Sequence, residues 1–213
     1  MRRFVLSVLT ISLFISAPGP ARAAGEVRAH EFWFGGGGAR GFDHAVFDVP
    51  DDIKNSPDGF FTVGYLHNLD EHRAFGFHLF GTTEKTPEAL LADTSGFYPV
   101  RFDLLNYNIG VRGRYTFSRQ GVAPSVFGGV NLAFGSIESK KTGELTYSGA
   151  SFCGGGDLGV PLGRHFMLAA ELFGSFGVAK WKNKPFLNST DADYNPSIAG
   201  IAFDIHYLWG RAI

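Results

Sequence analysis

The chain has 213 residues, 29 of them glycine and 22 phenylalanine, and only 18% are charged, against about 25% in ordinary globular domains. A formal net charge of −1 gives no basic footprint of the kind nucleic acid requires. The single cysteine, Cys153, excludes an internal disulfide and a multi-cysteine zinc site.

The chain opens as an export signal. Arg2 and Arg3 precede an apolar run over residues 4–16, Pro18, Gly19 and Pro20 break it, and Ala21-Arg22-Ala23 is a small-x-small cleavage site. The run is short of the roughly 20 residues that a membrane-spanning helix needs. Residues 1–23 are therefore expected to be a signal peptide, and residues 24–213 a single domain. Cleavage removes three arginines and leaves the exported chain more acidic.

From there a period of two runs almost throughout, the mark of strands. Two aromatic- and glycine-rich segments, 30–38 and 59–66, come first. In 74–81, Phe75, Phe77 and Leu79 stand opposite Gly76, His78 and Phe80. The cleanest segment is 105–117, where Leu105, Tyr107, Ile109, Val111, Tyr115 and Phe117 share one face and Asn106, Asn108, Arg112, Arg114 and Thr116 the other. Segments 125–134, 150–160 and 166–178 alternate likewise. The last strand, 197–209, carries Phe203, Ile205, Tyr207 and Trp209 on one face and Asp204 and His206 on the other. That makes eight strands, several of them long enough for the roughly 9–11 residues of a tilted membrane crossing.

The expected connections alternate in length. Residues 39–58, 82–100, 135–148 and 179–196 form four long loops, and 68–73, 118–122 and 163–165 form tight turns. Long on one side and short on the other is the pattern of an up-and-down barrel in a membrane. The expected fold is all-β, an eight-stranded antiparallel up-and-down transmembrane β-barrel.

On these residues the chain resembles the small eight-stranded bacterial outer-membrane β-barrels, among them the OmpA-like transmembrane domain. The run Phe203-x-Ile205-x-Tyr207-x-Trp209 is similar to the alternating aromatic signal read by the barrel-assembly machinery. Family members usually end on an aromatic residue, whereas here Gly210, Arg211, Ala212 and Ile213 follow, and these are expected just past the barrel. The resemblance implies an exported, integral outer-membrane protein. Its partners would be the membrane's lipid and lipopolysaccharide, with the assembly machinery engaged during biogenesis. A monomer is expected.

The physics of a closed sheet fixes what each face does. Backbone groups in hydrocarbon must be bonded internally, so the sheet closes. The apolar faces then meet lipid, and Tyr107, Tyr115, Phe117, Trp181, Tyr207 and Trp209 fall near strand ends as interfacial girdles. The inward face carries Arg112, Arg114, Asp157, Glu171, Asp204, His206, Glu31 and His78. Eight strands leave an interior that side chains can just fill, so these charges must pair. The expected role is a structural plug of ion pairs, with a gate or narrow pore as the sharper reading. Arg112, with its bidentate fork, is expected to reach at least one of Asp157, Glu171 and Asp204.

Motifs for catalysis are weak. Gly36-x-Gly38-x-x-Gly41 and Gly154-x-Gly156-x-x-Gly159 match a dinucleotide fingerprint. The second runs into Pro161, so no helix follows to hold a pyrophosphate, and the first opens an acidic loop. His44 lies in that loop among aspartates, whose spacing fits no calcium-loop pattern. No catalytic, metal or cofactor site is expected. The expected function is structural, surface-exposed or a small-solute pore. The alternatives are a lipid-modifying enzyme similar to the lipid A deacylases, whose His-x-Ser-Asn signature is missing here, and an adhesin acting through the four long loops.

Overall fold

Strands with one apolar and one polar face satisfy both faces at once if they close into a ring with the polar face inside. The computed structural model of the chain has this arrangement. It describes residues 27–41, 58–93, 96–119, 121–139, 143–182, 193–194 and 197–213. The signal-peptide segment, His44 and the acidic residues 43–52 lie outside the described residues.

Among the described residues there is no helix. The strands are β1 (Arg28–Gly41), β2 (Asp58–Asn68), β3 (Arg73–Asp93), β4 (Gly96–Thr116), β5 (Ala123–Ser139), β6 (Gly143–Pro161), β7 (Phe166–Trp181), the two-residue β8 (Asp193–Tyr194) and β9 (Ile198–Ala212). Each of β1 to β7 pairs antiparallel with the next, β7 pairs with β9, and β9 pairs with β1. The result is a closed eight-stranded wall, with β8 as a short addition along β7.

The faces fall as the alternation requires. Ile109, Phe152, Leu172, Phe176, Val178 and Phe203 are exposed on the outside, while Asn108, Arg112, Asp157, Glu171, Asp204 and His206 are buried inside. An exterior of this kind is a surface for hydrocarbon, and closure leaves no unpaired sheet edge within it. Tyr115, Phe117 and Tyr207 are exposed near the short-turn end, where an aromatic girdle meets the membrane interface.

Three expected boundaries are corrected. Residues 82–100 are not a long loop, because β3 and β4 run 21 residues each and only 94–95 separate them. Likewise β5 and β6 extend through most of 135–148. Of the four long loops expected, two are therefore short connections on lengthened hairpins. In 82–100 apolar residues fall on consecutive positions, as at Leu90 and Leu91 or Phe97 and Tyr98, so the period of two vanishes although pairing continues. Pro87, which cannot donate to a ladder, falls where the β3–β4 register shifts between Thr86 and Ala89. At the other end β9 does not stop at Trp209. It bulges at Gly210, whose φ is +89°, and pairs on until Ala212 meets Arg28. A positive φ is open to glycine at little cost.

Candidate functional site

The lumen is layered along the barrel axis. Nearest the short turns, Glu31 of β1 is fully buried. Arg114 of β4 grips it with both terminal guanidinium nitrogens, and His206 of β9 donates through Nδ1 to its Oε1 at 2.6 Å. The His206 ring stacks on Trp33, also buried, at a centroid distance of 6.1 Å, and Trp33 Nε1 donates to Thr62 at 3.3 Å. A carboxylate held by a bidentate arginine and an imidazole is the arrangement that makes buried charge tolerable.

One step further in, Arg112 Nη2 donates to Glu171 Oε2 at 2.8 Å and lies 3.8 Å from Asp157 Oδ2. The other Asp157 oxygen accepts from Ser125 Oγ at 2.5 Å. The Arg112 guanidinium stands 3.5 Å over the Phe127 ring and 5.1 Å from Trp33. It is thus held by two acids and two aromatic faces. Asp204, in contrast, is 1% exposed, and neither of its oxygens has a hydrogen-bond partner among the described residues. It fits only because Gly35 faces it: a Cβ on Gly35 would collide with the Asp204 carboxylate and the Phe203 carbonyl.

A third layer is uncharged. His78 Nε2 donates to Asn131 Oδ1 at 2.6 Å, Asn131 Nδ2 to Ser151 Oγ at 3.1 Å and Ser151 Oγ to Asn108 Oδ1 at 2.9 Å. Asn108 Nδ2 in turn donates to Asn106 Oδ1 at 3.2 Å. This five-residue relay joins β3, β5, β6 and β4 across the lumen. Such chains polarise one another and specify a unique packing. Cys153 lies beside it, 3.8 Å from His78 Nε2.

Aromatic side chains then fill the section. Phe60 stacks on Phe173 with centroids 4.1 Å apart, and Phe80 packs against both at 5.8 and 6.2 Å. Between this stack, His78 and the Arg112–Glu171 pair the remaining cavity is about 10 Å³, room for about one water.

All eight inward residues singled out from the sequence are buried, but they form separate groups. Glu31, Arg114 and His206 are one cluster. Arg112, Glu171 and Asp157 are another, and Asp204 touches neither through a hydrogen bond. His78 belongs to the neutral relay. The sequence reading missed Trp33, Ser125, Asn131 and Ser151. Their signal was present in the parity of their strands, but neutral residues on a polar face carry no pairing demand that draws the eye. The aromatics Phe60, Phe80, Phe127 and Phe173 sit inside although aromatic positions point mostly to lipid. The C-terminal residues Phe203, Ile205, Tyr207 and, partly, Trp209 face outward.

Chemically the lumen offers little to a substrate. The serines Ser125 and Ser151 are spent on Asp157 and Asn108 rather than on a histidine. Among the described residues no group of three His, Cys, Asp or Glu side chains is placed to hold a metal ion.

Comparison with protein-family models gives no match, and comparison with curated proteins gives none. Solved structures do match. Ail, the attachment invasion locus protein of Yersinia pestis, is 11% identical, with 86% of this chain and 99% of that one covered at a TM-score of 0.51. Neisserial surface protein A is also 11% identical, with 85% of this chain and 97% of that one covered at a TM-score of 0.54. Identity this low speaks for the fold, and together with the closed wall and its apolar exterior it leads to one conclusion: this chain has the fold of the small eight-stranded outer-membrane β-barrels.

Proposed function

We propose that the chain is an integral outer-membrane protein whose barrel is a sealed anchor rather than a passage. The observation that carries this reading is the filled lumen. Two ion-paired clusters, a neutral relay and a phenylalanine stack follow one another, and the cavity left between them is about 10 Å³. A hydrated ion or small solute needs a continuous wet path, which such a section does not supply. The protein is then not an enzyme, and its action lies in what the barrel carries at the end opposite the short turns. Single-channel recording on the refolded protein in a planar bilayer tests this. Silence under applied voltage is expected, and discrete conductance steps would restore the small-solute pore.

The β3–β4 hairpin supports surface recognition as the more specific role. Its strands run 21 residues each, about twice a membrane crossing, so it projects well beyond the hydrocarbon. Deleting residues 86–100 should remove binding of any surface ligand while leaving the unboiled protein's altered gel mobility intact. Retained binding would move recognition to another loop.

A further inference from the structure

At the short-turn rim the strand ends of β1, β2 and β9 leave an open groove of about 660 Å³, lined by His30, His67, Asn68, Leu69 and residues 211–213. We propose that this groove binds the phosphate of a phospholipid in the periplasmic leaflet. The inference rests on the outer-membrane reading above, which puts the short turns on the periplasmic side.

Three observations carry it. The first is charge. The side chains of His67 and Arg211 have no hydrogen-bond partner among the described residues, and no acidic side chain lines the groove. In the adjoining β2–β3 turn Asp70 is engaged by Arg73 at 2.6 Å. An unpaired guanidinium beside an imidazole is a donor set for a phosphodiester oxygen pair.

The second is construction. His30 shares a hydrogen bond with the Tyr65 hydroxyl at 2.7 Å through Nδ1 and stacks on Trp209 at 5.5 Å. Its ring is therefore fixed, with Nε2 left over. Arg28 Nη1 donates to the Gly210 carbonyl at 2.9 Å and so steadies the bulge at that residue. A Cβ on Gly210 would sit 2.8 Å from His30 Cδ2, so the missing side chain is what lets the imidazole occupy the rim.

The third is amphipathy. Leu69 and Ile213 are exposed at the lip, 57% and 48%, in the same lining as the Arg211 guanidinium, while Tyr65 and Trp209 lie on the lipid-facing side of the wall. Aromatic rings at this level mark the interface where headgroups lie. A charged floor with an apolar lip fits a headgroup joined to acyl chains better than it fits a free anion.

The test uses the full chain refolded into vesicles of equal phosphatidylglycerol and phosphatidylcholine, then released for native mass spectrometry. The wild type should leave with phosphatidylglycerol bound. R211Q combined with H67Q should cut the bound fraction about tenfold, as expected for losing charge-assisted hydrogen bonds. R211K should restore part of it. Both positions are exposed, so each variant should keep the gel-mobility shift of a closed barrel when unboiled. Unchanged lipid retention in the double variant, with the shift present, would overturn the site alone. Stripping of the lipid by inorganic phosphate as readily as by a soluble short-chain phosphatidylglycerol would overturn the lipid assignment. Absence of the shift in the wild type would instead overturn the barrel reading and the site with it.

Discussion

Arg112 and Glu171 stand 59 positions apart in sequence and 2.8 Å apart in the lumen, both almost fully buried. Neither strand touches the other in the wall: β4 pairs with β3 and β5, and β7 with β6 and β9. The pair therefore spans the barrel as a strut. Removing its positive end in R112A should strand Glu171 and Asp157 and cost about 3–5 kcal/mol. Urea titration in lipid vesicles, read by gel mobility, checks this. A loss under 1 kcal/mol would mean that water already screens the pair.

Glu31 and Arg114 should behave as a separate unit. A double-mutant cycle with E31Q and R114M should give a coupling energy above about 1 kcal/mol, because the two groups share charge-assisted bonds in a dry site. A cycle between E31Q and E171Q should be close to additive, since different arginines hold those acids. Strong coupling in the second cycle would merge the two clusters into one network.

The lipid face invites a paired comparison. Arginine at Ile109 or Ile205, both exposed to hydrocarbon, should cost about 2–4 kcal/mol near the membrane centre. Arginine at Asn108 would point toward the lumen instead of the lipid. Asn108 is fully buried within the relay, so arginine would overpack it, and even N108A should cost about 1–3 kcal/mol through the partners it abandons. I109A, by contrast, should be nearly silent because lipid refills the space. The opposite ranking of the two alanine variants would show that the faces are slipped by one residue.

The turn after β2 has its own acid dependence. Asp70 accepts from Arg73 Nε at 2.6 Å and from the backbone N–H of Arg73 and His72 at 2.7 and 2.9 Å. The Arg73 side chain first, then the two backbone donors, hold its pKa down from 3.8 to about 2. The folded value lies below the unfolded one. The carboxylate's contribution is therefore complete above about pH 4 and disappears as the pH falls through 2. Carboxyl NMR in detergent should show a midpoint near 2, with the His72 and Arg73 amides losing exchange protection over the same range. A midpoint near 4 would mean that the turn contacts are not formed in solution.

Much of this architecture could be read in advance because a membrane barrel enforces one rule at every position: odd residues to lipid, even residues to the lumen, or the reverse. That rule assigned Glu31, Arg112, Asp157, Glu171 and Asp204 to the inside without any knowledge of neighbours. It has no force in residues 82–100, where apolar residues fall on consecutive positions, as at Leu90 and Leu91 or Phe97 and Tyr98, and the period of two is lost. Nor does it say which inward charges meet. Partnership depends on the circumference and stagger of the closed ring, which is why Arg114 reaches Glu31 while Arg112 reaches Glu171. The phenylalanines of the lumen were obscured for a third reason. Phe80, Phe127 and Phe173 lie on strands whose outer faces are also aromatic or aliphatic, so hydrophobicity alone does not mark them as inward-facing.

The bond from Arg28 to Gly210 joins groups 182 positions apart and lies along the ladder between the first strand and the last. Every other neighbouring pair in the wall is close in sequence, so the ring has a single seam. A loop of that length costs about 4–5 kcal/mol to close by chain entropy, and nothing repays it until β9 has been made. Until then β1 presents a bare edge of amide groups, the kind of template on which strands from other molecules add. Biogenesis of this protein is therefore a matter of guarding one strand, from the time it emerges until the far end of its own chain arrives.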